Sequence, residues 1–397
     1  MTRLSPKSIS YTLFLSAAVA LGPLSTDMYL PTFPLLAEVF NASVADVQLT
    51  LSVFTFGIAA CQLFYGPLAD RYGRKPVLVV GLLLYAVACY GCLIAVTIDE
   101  LILFRFLQAL GVCAAIVIPR AMVRDLFARE QAAKQLSRMG TIMGLAPAIA
   151  PVIGGYLAII YGWHAIFLFL GTVGLVVMAV VVFLIDESHQ AKDKNALHPR
   201  HILRNYSALL RHREFMSFAL AGGFCFAGLF AFISGSPLVL IEFLGVAADN
   251  FGYFFGMTVL GFMTGTVVGP VLTNKGGLVF ALKMGTLVSA GGGFLMLMLA
   301  LISVDHVAAV VGPMIIYVMG LGIVLPQSQA GAMAPFPEKA GAAAALMGFL
   351  MLGFAALLGY LMAVIYDETQ MVMVSAIALM GCLSALVFWA TSRHASA

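Results

Sequence analysis

Apolar stretches of about twenty residues, separated by short polar turns, recur about twelve times along the chain. An α-helix rises about 1.5 Å per residue, so about 20 apolar residues cross the hydrocarbon of a bilayer. The pattern predicts helices near 8–33, 47–69, 77–97, 101–123, 140–161 and 164–185. A second set is predicted near 215–241, 251–272, 280–302, 308–328, 340–365 and 371–391. The longest hydrophilic stretch, 186–214, lies between the two sets near the midpoint and carries six of the Lys and Arg residues. The expected organisation is a six-helix bundle over 1–185, a linker over 186–214 and a second six-helix bundle over 215–397.

An internal echo supports two related halves. Gly66-Pro67-Leu68 ends the second predicted helix just before a charged turn, and Gly269-Pro270-Val271-Leu272 ends the eighth just before Thr273-Asn274-Lys275. The expected fold is therefore an all-α membrane protein of twelve transmembrane helices in two pseudo-symmetric bundles, with a substrate site near the midplane between them.

Composition narrows the class. Of 397 residues, 62% are hydrophobic and 10% charged, with mean hydropathy +1.03. A soluble domain carries roughly 25% charged residues, so the chain reads as integral to a membrane with little soluble mass. The net charge of +3 matters less than its distribution. With the N-terminus in the cytoplasm, inner segments hold 19 of the 21 Lys and Arg residues, and the outer loops hold none but carry nine acids. This positive-inside pattern is expected to put both termini in the cytoplasm and agrees with an even number of spans. Arg3 and Lys7 precede the first apolar run, but no small-residue cleavage site follows, so the run reads as a retained helix. Lys and Arg sit in separate short loops, which gives nucleic acid no basic tract. The six Cys residues all fall within apolar runs and read as small core hydrophobes. No cofactor, metal cluster or phosphate-binding loop is indicated.

One acid breaks the apolar pattern. Asp27 lies in Gly22-Pro23-Leu24-Ser25-Thr26-Asp27-Met28-Tyr29-Leu30-Pro31, inside the first helix. An ionised carboxylate at membrane depth costs about 2.5–3.5 kcal/mol, so such a residue ordinarily has a partner and a role. Arg105 lies at a similar depth in the fourth helix, roughly 8–10 Å below the outer surface at 1.5 Å per residue. Direct pairing, coupling through Gln108 or water, and snorkelling of Arg105 to the interface are all open. Arg120, nearer the inner end, reads as a snorkelling residue. Abundant Met and aromatic side chains suit a promiscuous apolar cavity.

Three motifs carry a family resemblance. Gly66-Pro67-Leu68-Ala69-Asp70-Arg71-Tyr72-Gly73-Arg74-Lys75-Pro76-Val77 resembles, at nearly every position, the loop between helices two and three of the major facilitator superfamily. Gly66 allows close helix packing and Gly73 a tight turn. The resemblance implies that Asp70 faces the N-terminus of helix eleven, where a carboxylate is favoured by the dipole, and that the loop latches the cytoplasmic side. Arg105-x-x-Gln108-x-x-Gly111 looks like that superfamily's second signature. Gly140-x-x-x-Gly144-x-x-Pro147-x-x-x-Pro151-x-x-Gly154-Gly155 resembles its antiporter signature, which implies a bent helix sealing the interface between halves. The segment around Asp27, with Ser234-Gly235-Ser236-Pro237, makes the chain similar to the Bcr/CflA group of drug:proton antiporters. Ala18 to Leu21 is apolar, so this chain lacks the second carboxylate that some drug:proton antiporters place there.

The reading is a proton-coupled efflux antiporter, not an enzyme, expected as a monomer with small-molecule drugs, protons and the lipid bilayer as partners. Asp27 and Arg105 are the proton-coupling candidates. Asp27, Tyr29, Gln108, Phe226, Phe230, Gln327 and Met351 are the substrate-binding candidates. Gly66, Asp70, Arg71, Gly73, Arg74, Gly144, Pro147, Pro151 and Gly154 are the gating candidates. Two Trp residues and few intramembrane amides argue against the alternative of a sugar or amino-acid carrier. A non-transporting receptor is the remaining alternative.

Overall fold

The structure, a computed structural model, describes residues 8–189, 192–193 and 196–391. The helices, in chain order, are α1 Ile9–Asp27, α2 Phe33–Val39, α3 Val44–Tyr72, α4 Arg74–Ile94, α5 Ile98–Leu126, α6 Arg129–Tyr161 and α7 His164–Leu184. They continue with α8 Pro199–Leu210, α9 Arg213–Pro237, α10 Ala248–Leu301, α11 Val307–Met333, α12 Ala340–Val364 and α13 Met371–Thr391. Among the described residues, eleven segments are long and apolar enough to span a bilayer, and one of them, the 54-residue α10, is two arms broken at Gly277. Counting both arms agrees with the twelve predicted spans.

Several boundaries differ from the sequence pattern, for local reasons. The first predicted helix stops at Asp27; Pro31 then sits in a tight turn, Leu30–Thr32, and α2 resumes where an outer loop was expected. The mixed-charge stretch 129–138, which precedes the predicted fifth helix, forms the first turns of α6. Its Glu, Gln, Ala, Lys, Leu and Arg residues are good helix formers, and hydropathy alone does not register them. The predicted loop after 272 is reduced to Gly277, whose φ of +80° turns the chain at no side-chain cost. The linker contains α8, a strongly amphipathic helix.

Both halves repeat one packing device. A methyl group on Gly111 of α5 would lie 2.7 Å from the carbonyl oxygen of Gly81 on α4. One on Gly320 of α11 would lie 2.6 Å from the carbonyl oxygen of Gly285 on the second arm of α10. Helix backbones approach this closely only where a side chain is missing. The fourth span thus packs on the third as the tenth packs on the ninth. Between the halves, α3 lies along α12, and α6 along the first arm of α10.

Candidate transport site

Three features make up the site: a buried ionic centre, a cavity and the contacts that close one end. The end carrying the linker and the Asp70–Lys75 turn is called the basic end, and the opposite one the acidic end.

Arg105, on α5, is fully buried. Its Nη1 donates to the backbone carbonyl of Ser25 at 3.0 Å and to Gln108 Oε1 at 2.6 Å. The guanidinium lies 4.1 Å from the ring centre of Phe54 and 4.7 Å from that of Tyr29. The Ser25 carbonyl belongs to the last turn of α1, so a cation there meets the negative end of the helix dipole. Gln108 passes the network on, donating from Nε2 to Cys89 Sγ at 3.0 Å, while Ser25 Oγ and Tyr85 OH are 2.7 Å apart. Nε and Nη2 of Arg105 have no hydrogen-bond partner among the described residues.

Asp27 is also buried, at 3% exposure, at the C-terminal end of α1. No hydrogen bond or ion pair reaches its carboxylate among the described residues, so Arg105 and Asp27 do not pair directly. Arg105 engages aromatic rings and a helix end instead; it does not snorkel. Asp27 is neither in bulk water nor facing lipid. The turn that follows it, Leu30–Thr32, touches α9 and α10 of the other half, whereas α1 itself packs mainly on α5, α6 and α7.

A cavity of about 900 Å³ opens at the basic end. From the first half, Gln62, Tyr65, Ile116, Arg120 and Met139 line it, and from the second Gln329, Met333 and Ala345. Among the predicted gating residues, Gly66, Asp70 and Arg74 line its mouth. None of the predicted substrate-binding residues, Asp27, Tyr29, Gln108, Phe226, Phe230, Gln327 or Met351, lines it in this conformation. Tyr29 and Gln108 are taken up by the Arg105 centre. Gln327 packs beside Gly269, and Met351 beside Gly223, within the second half. The single-sequence signal for the missed lining residues was their polarity in apolar helices. Gln62 and Gln329 show it, but nothing in one chain says which way they face.

The basic-end turn is built as a knot of charges. Arg74 Nη1 lies 2.7 Å from Asp70 Oδ1, and Arg74 Nε donates to Asp125 Oδ2 at 2.9 Å. Glu187, just after α7, accepts from the backbone N–H groups of Arg74 at 2.9 Å and Lys75 at 3.2 Å, capping the start of α4. Lys75 Nζ reciprocates, donating to the carbonyl of Ile185 at 2.7 Å beyond the end of α7. Gly73, at φ +104°, leaves the room that Glu187 occupies. Arg71 lies outside the knot, over the ring of Tyr72 at 5.4 Å. Asp70 and the start of α12, Gly341 and Ala342, line the same cavity, and the ion-pair partner of Asp70 is Arg74.

The linker joins this region through a proline. Pro67 has no N–H, so the carbonyl of Leu63, one turn earlier in α3, loses its helical partner. Tyr206 of α8 donates its hydroxyl to that carbonyl at 2.8 Å.

At the acidic end the halves close. Ala148 and Val152 of α6 face Gly252 and Gly256 of α10, where a methyl group on Gly252 would lie 2.7 Å from the backbone nitrogen of Val152. Gly154 packs directly on the backbone of Met28. Tyr156 and Tyr253 hydroxyls join the two halves at 3.0 Å. Pro147 and Pro151 lie within continuous α6, whereas Gly144 faces open space and brings no helix close in this conformation. The four-residue spacing of Gly252 and Gly256 was visible in the sequence but did not reveal its partner.

The family model of the Major Facilitator Superfamily matches residues 15–360. A bicyclomycin resistance protein homolog of Haemophilus influenzae is 31% identical over 385 residues, covering 97% of this chain and 96% of that protein. The multidrug resistance protein MdtL of Escherichia coli is 30% identical over 354 residues, covering 88% of this chain and 87% of its own length. Among solved structures, a D-xylose-proton symporter superposes with a TM-score of 0.75 at 16% identity, over 96% of this chain and 97% of that one. A bacterial homolog of the lysosomal transporter Spinster, inward-facing and occupied, gives 0.73 at 14% identity over 98% of each chain. Twelve spans around a large cavity, and a family match over most of its length, make this chain a multi-pass transporter of the Major Facilitator Superfamily, not an enzyme.

Proposed function

We propose that the protein is a proton-coupled antiporter that exports amphipathic small molecules from the cytoplasm across the bacterial inner membrane. Charge asymmetry supports a cytoplasmic basic end; on that orientation the conformation described is inward-facing, with a cavity of about 900 Å³ to receive cargo. The relatives named for bicyclomycin and multidrug resistance support the cargo class. Met139, Met333, Tyr65 and Ile116 offer adaptable apolar surface, and Gln62 and Gln329 offer hydrogen bonds.

The observation that carries the reading is Asp27: a buried carboxyl group, three residues before a turn that touches the other half, with no cation paired to it among the described residues. Leaving it ionised there is costly, so exchange of its proton belongs with a change in which end is open. Asp27 is walled off from the cargo cavity in the inward-facing state. Coupling therefore runs through the conformational equilibrium that proton and cargo both bias, rather than through contact between them in this state. The test is efflux from proteoliposomes under an imposed pH gradient, comparing wild type with Asp27→Asn. Gradient-driven efflux should fall at least tenfold in the variant, while downhill exchange of cargo for cargo persists. Equal gradient-driven efflux in both proteins would refute the proposal.

A further inference from the structure

The acidic-end seam holds a group of polar side chains that nothing above uses. Gln48 and Ser52 lie on α3, and Ser234 and Ser236 on the last turns of α9, in the other half. All four residues are at most 3% exposed. Gln48 Nε2 crosses the seam to the backbone carbonyl of Ser234 at 3.1 Å. Gln48 Oε1 and the hydroxyls of Ser52, Ser234 and Ser236 have no hydrogen-bond partner among the described residues. Helix α12 completes the junction, since a methyl group on Gly359 would lie 2.9 Å from Ser52 Oγ.

These serines differ from the other buried serines among the described residues, whose hydroxyls find a partner one turn back or on a neighbouring helix. Ser16, Ser25 and Thr55 each return their hydroxyl to the carbonyl one turn earlier, at 2.8, 2.7 and 2.9 Å. That local bond is the usual way to satisfy a hydroxyl in a membrane helix. A void beside Gln48 has a volume of about 10 Å³, room for one water, and is lined by none of the three serines. A buried polar group without a partner raises the energy of the state that buries it, and that cost vanishes once water reaches the group.

We infer that Gln48, Ser52, Ser234 and Ser236 form a self-opening outer gate, whose unpaired polar groups destabilise the closed seam and are satisfied by water when the halves part there. The Ser234-Gly235-Ser236-Pro237 motif then has a physical role, since it puts hydroxyls at the seam that the inward-facing state cannot satisfy. Naming this gate outer rests on the orientation proposed above; the bias on opening does not.

The experiment is hydrogen–deuterium exchange of the full chain in lipid nanodiscs, comparing wild type with Ser52→Ala/Ser234→Ala/Ser236→Ala. Alanine removes only the oxygen atoms and leaves the seam's shape. Exchange should fall in acidic-end peptides covering 44–58 and 228–243 and rise in basic-end peptides covering 62–75 and 333–345. That pattern corresponds to a shift of about tenfold toward the basic-end-open state. Unchanged exchange at both ends, or a rise at the acidic end, would overturn the inference; a rise would mean that the hydroxyls bind the seam together. Should the triple variant fold poorly, Ser236→Ala alone gives the same direction with a smaller shift. The readout concerns only which end opens, so it is decided separately from any assay of cargo or proton movement.

Discussion

Arg105 is a cation buried at 0% exposure with no carboxylate within salt-bridge distance among the described residues. Its stability comes from two aromatic faces, the carbonyl end of α1 and Gln108. Replacing Arg105 by an apolar side chain removes the cost of a buried charge but leaves the Ser25 carbonyl and Gln108 Oε1 without their donor. Arg105→Met is therefore expected to lower stability by only about 1–3 kcal/mol, with the protein still folded, and to lose gradient-driven efflux. A large fall in the midpoint together with efflux would reduce Arg105 to scaffold. Arg105→Lys keeps the charge but not the planar stacking on Phe54 and Tyr29, so it should rescue transport poorly. The presence of Arg105 and Asp27 within apolar helices was legible in the chain. Their lack of pairing was not, because rotation about two helix axes decides which side chains meet.

At the scale of elements, proline and the linker act together. Pro67 frees a carbonyl in α3, and Tyr206 of α8 takes it up. Burial pushes the Tyr206 phenol up to about 12, so it stays protonated, and a donor, throughout the physiological pH range. Tyr206→Phe should leave α3 with an unsatisfied carbonyl beside the cavity, destabilising the basic-end-open state by about 1 kcal/mol. The expected outcome is a severalfold weaker affinity for cargo added to the purified protein, measured by equilibrium binding, with little change in expression. An unchanged affinity would make the linker helix a passive tether. Element legibility followed the same division. Spans such as α7 and α13 matched the apolar pattern to within a residue or so. The start of α6 and all of α8 did not, because their helices are amphipathic or charged and hydropathy sees only oil.

For the whole molecule, alternating access requires both ends to close in turn, and only the acidic end is closed here. That closure depends on backbone approach: a side chain at Gly252 would meet main-chain atoms of Val152, which cannot rotate away. Gly252→Val should wedge the acidic end open and shift the population away from the basic-end-open state. Labelling by a small membrane-impermeant reagent at a cysteine introduced into the wall of the 900 Å³ cavity, such as Ala345→Cys, should fall severalfold. Unaltered labelling would mean that α6 and α10 tolerate separation without opening.

By itself the sequence determined the class of molecule, the number of spans and the charge asymmetry of its two ends. Those properties follow from solvation, which acts on each segment independently of its neighbours. The tertiary structure decided which polar groups share a wall, why Asp27 and Arg105 stand apart, and which residues line the cavity. Such facts depend on how packed helices are rotated and on which of two conformations is occupied, and both are set by contacts between residues far apart in the chain.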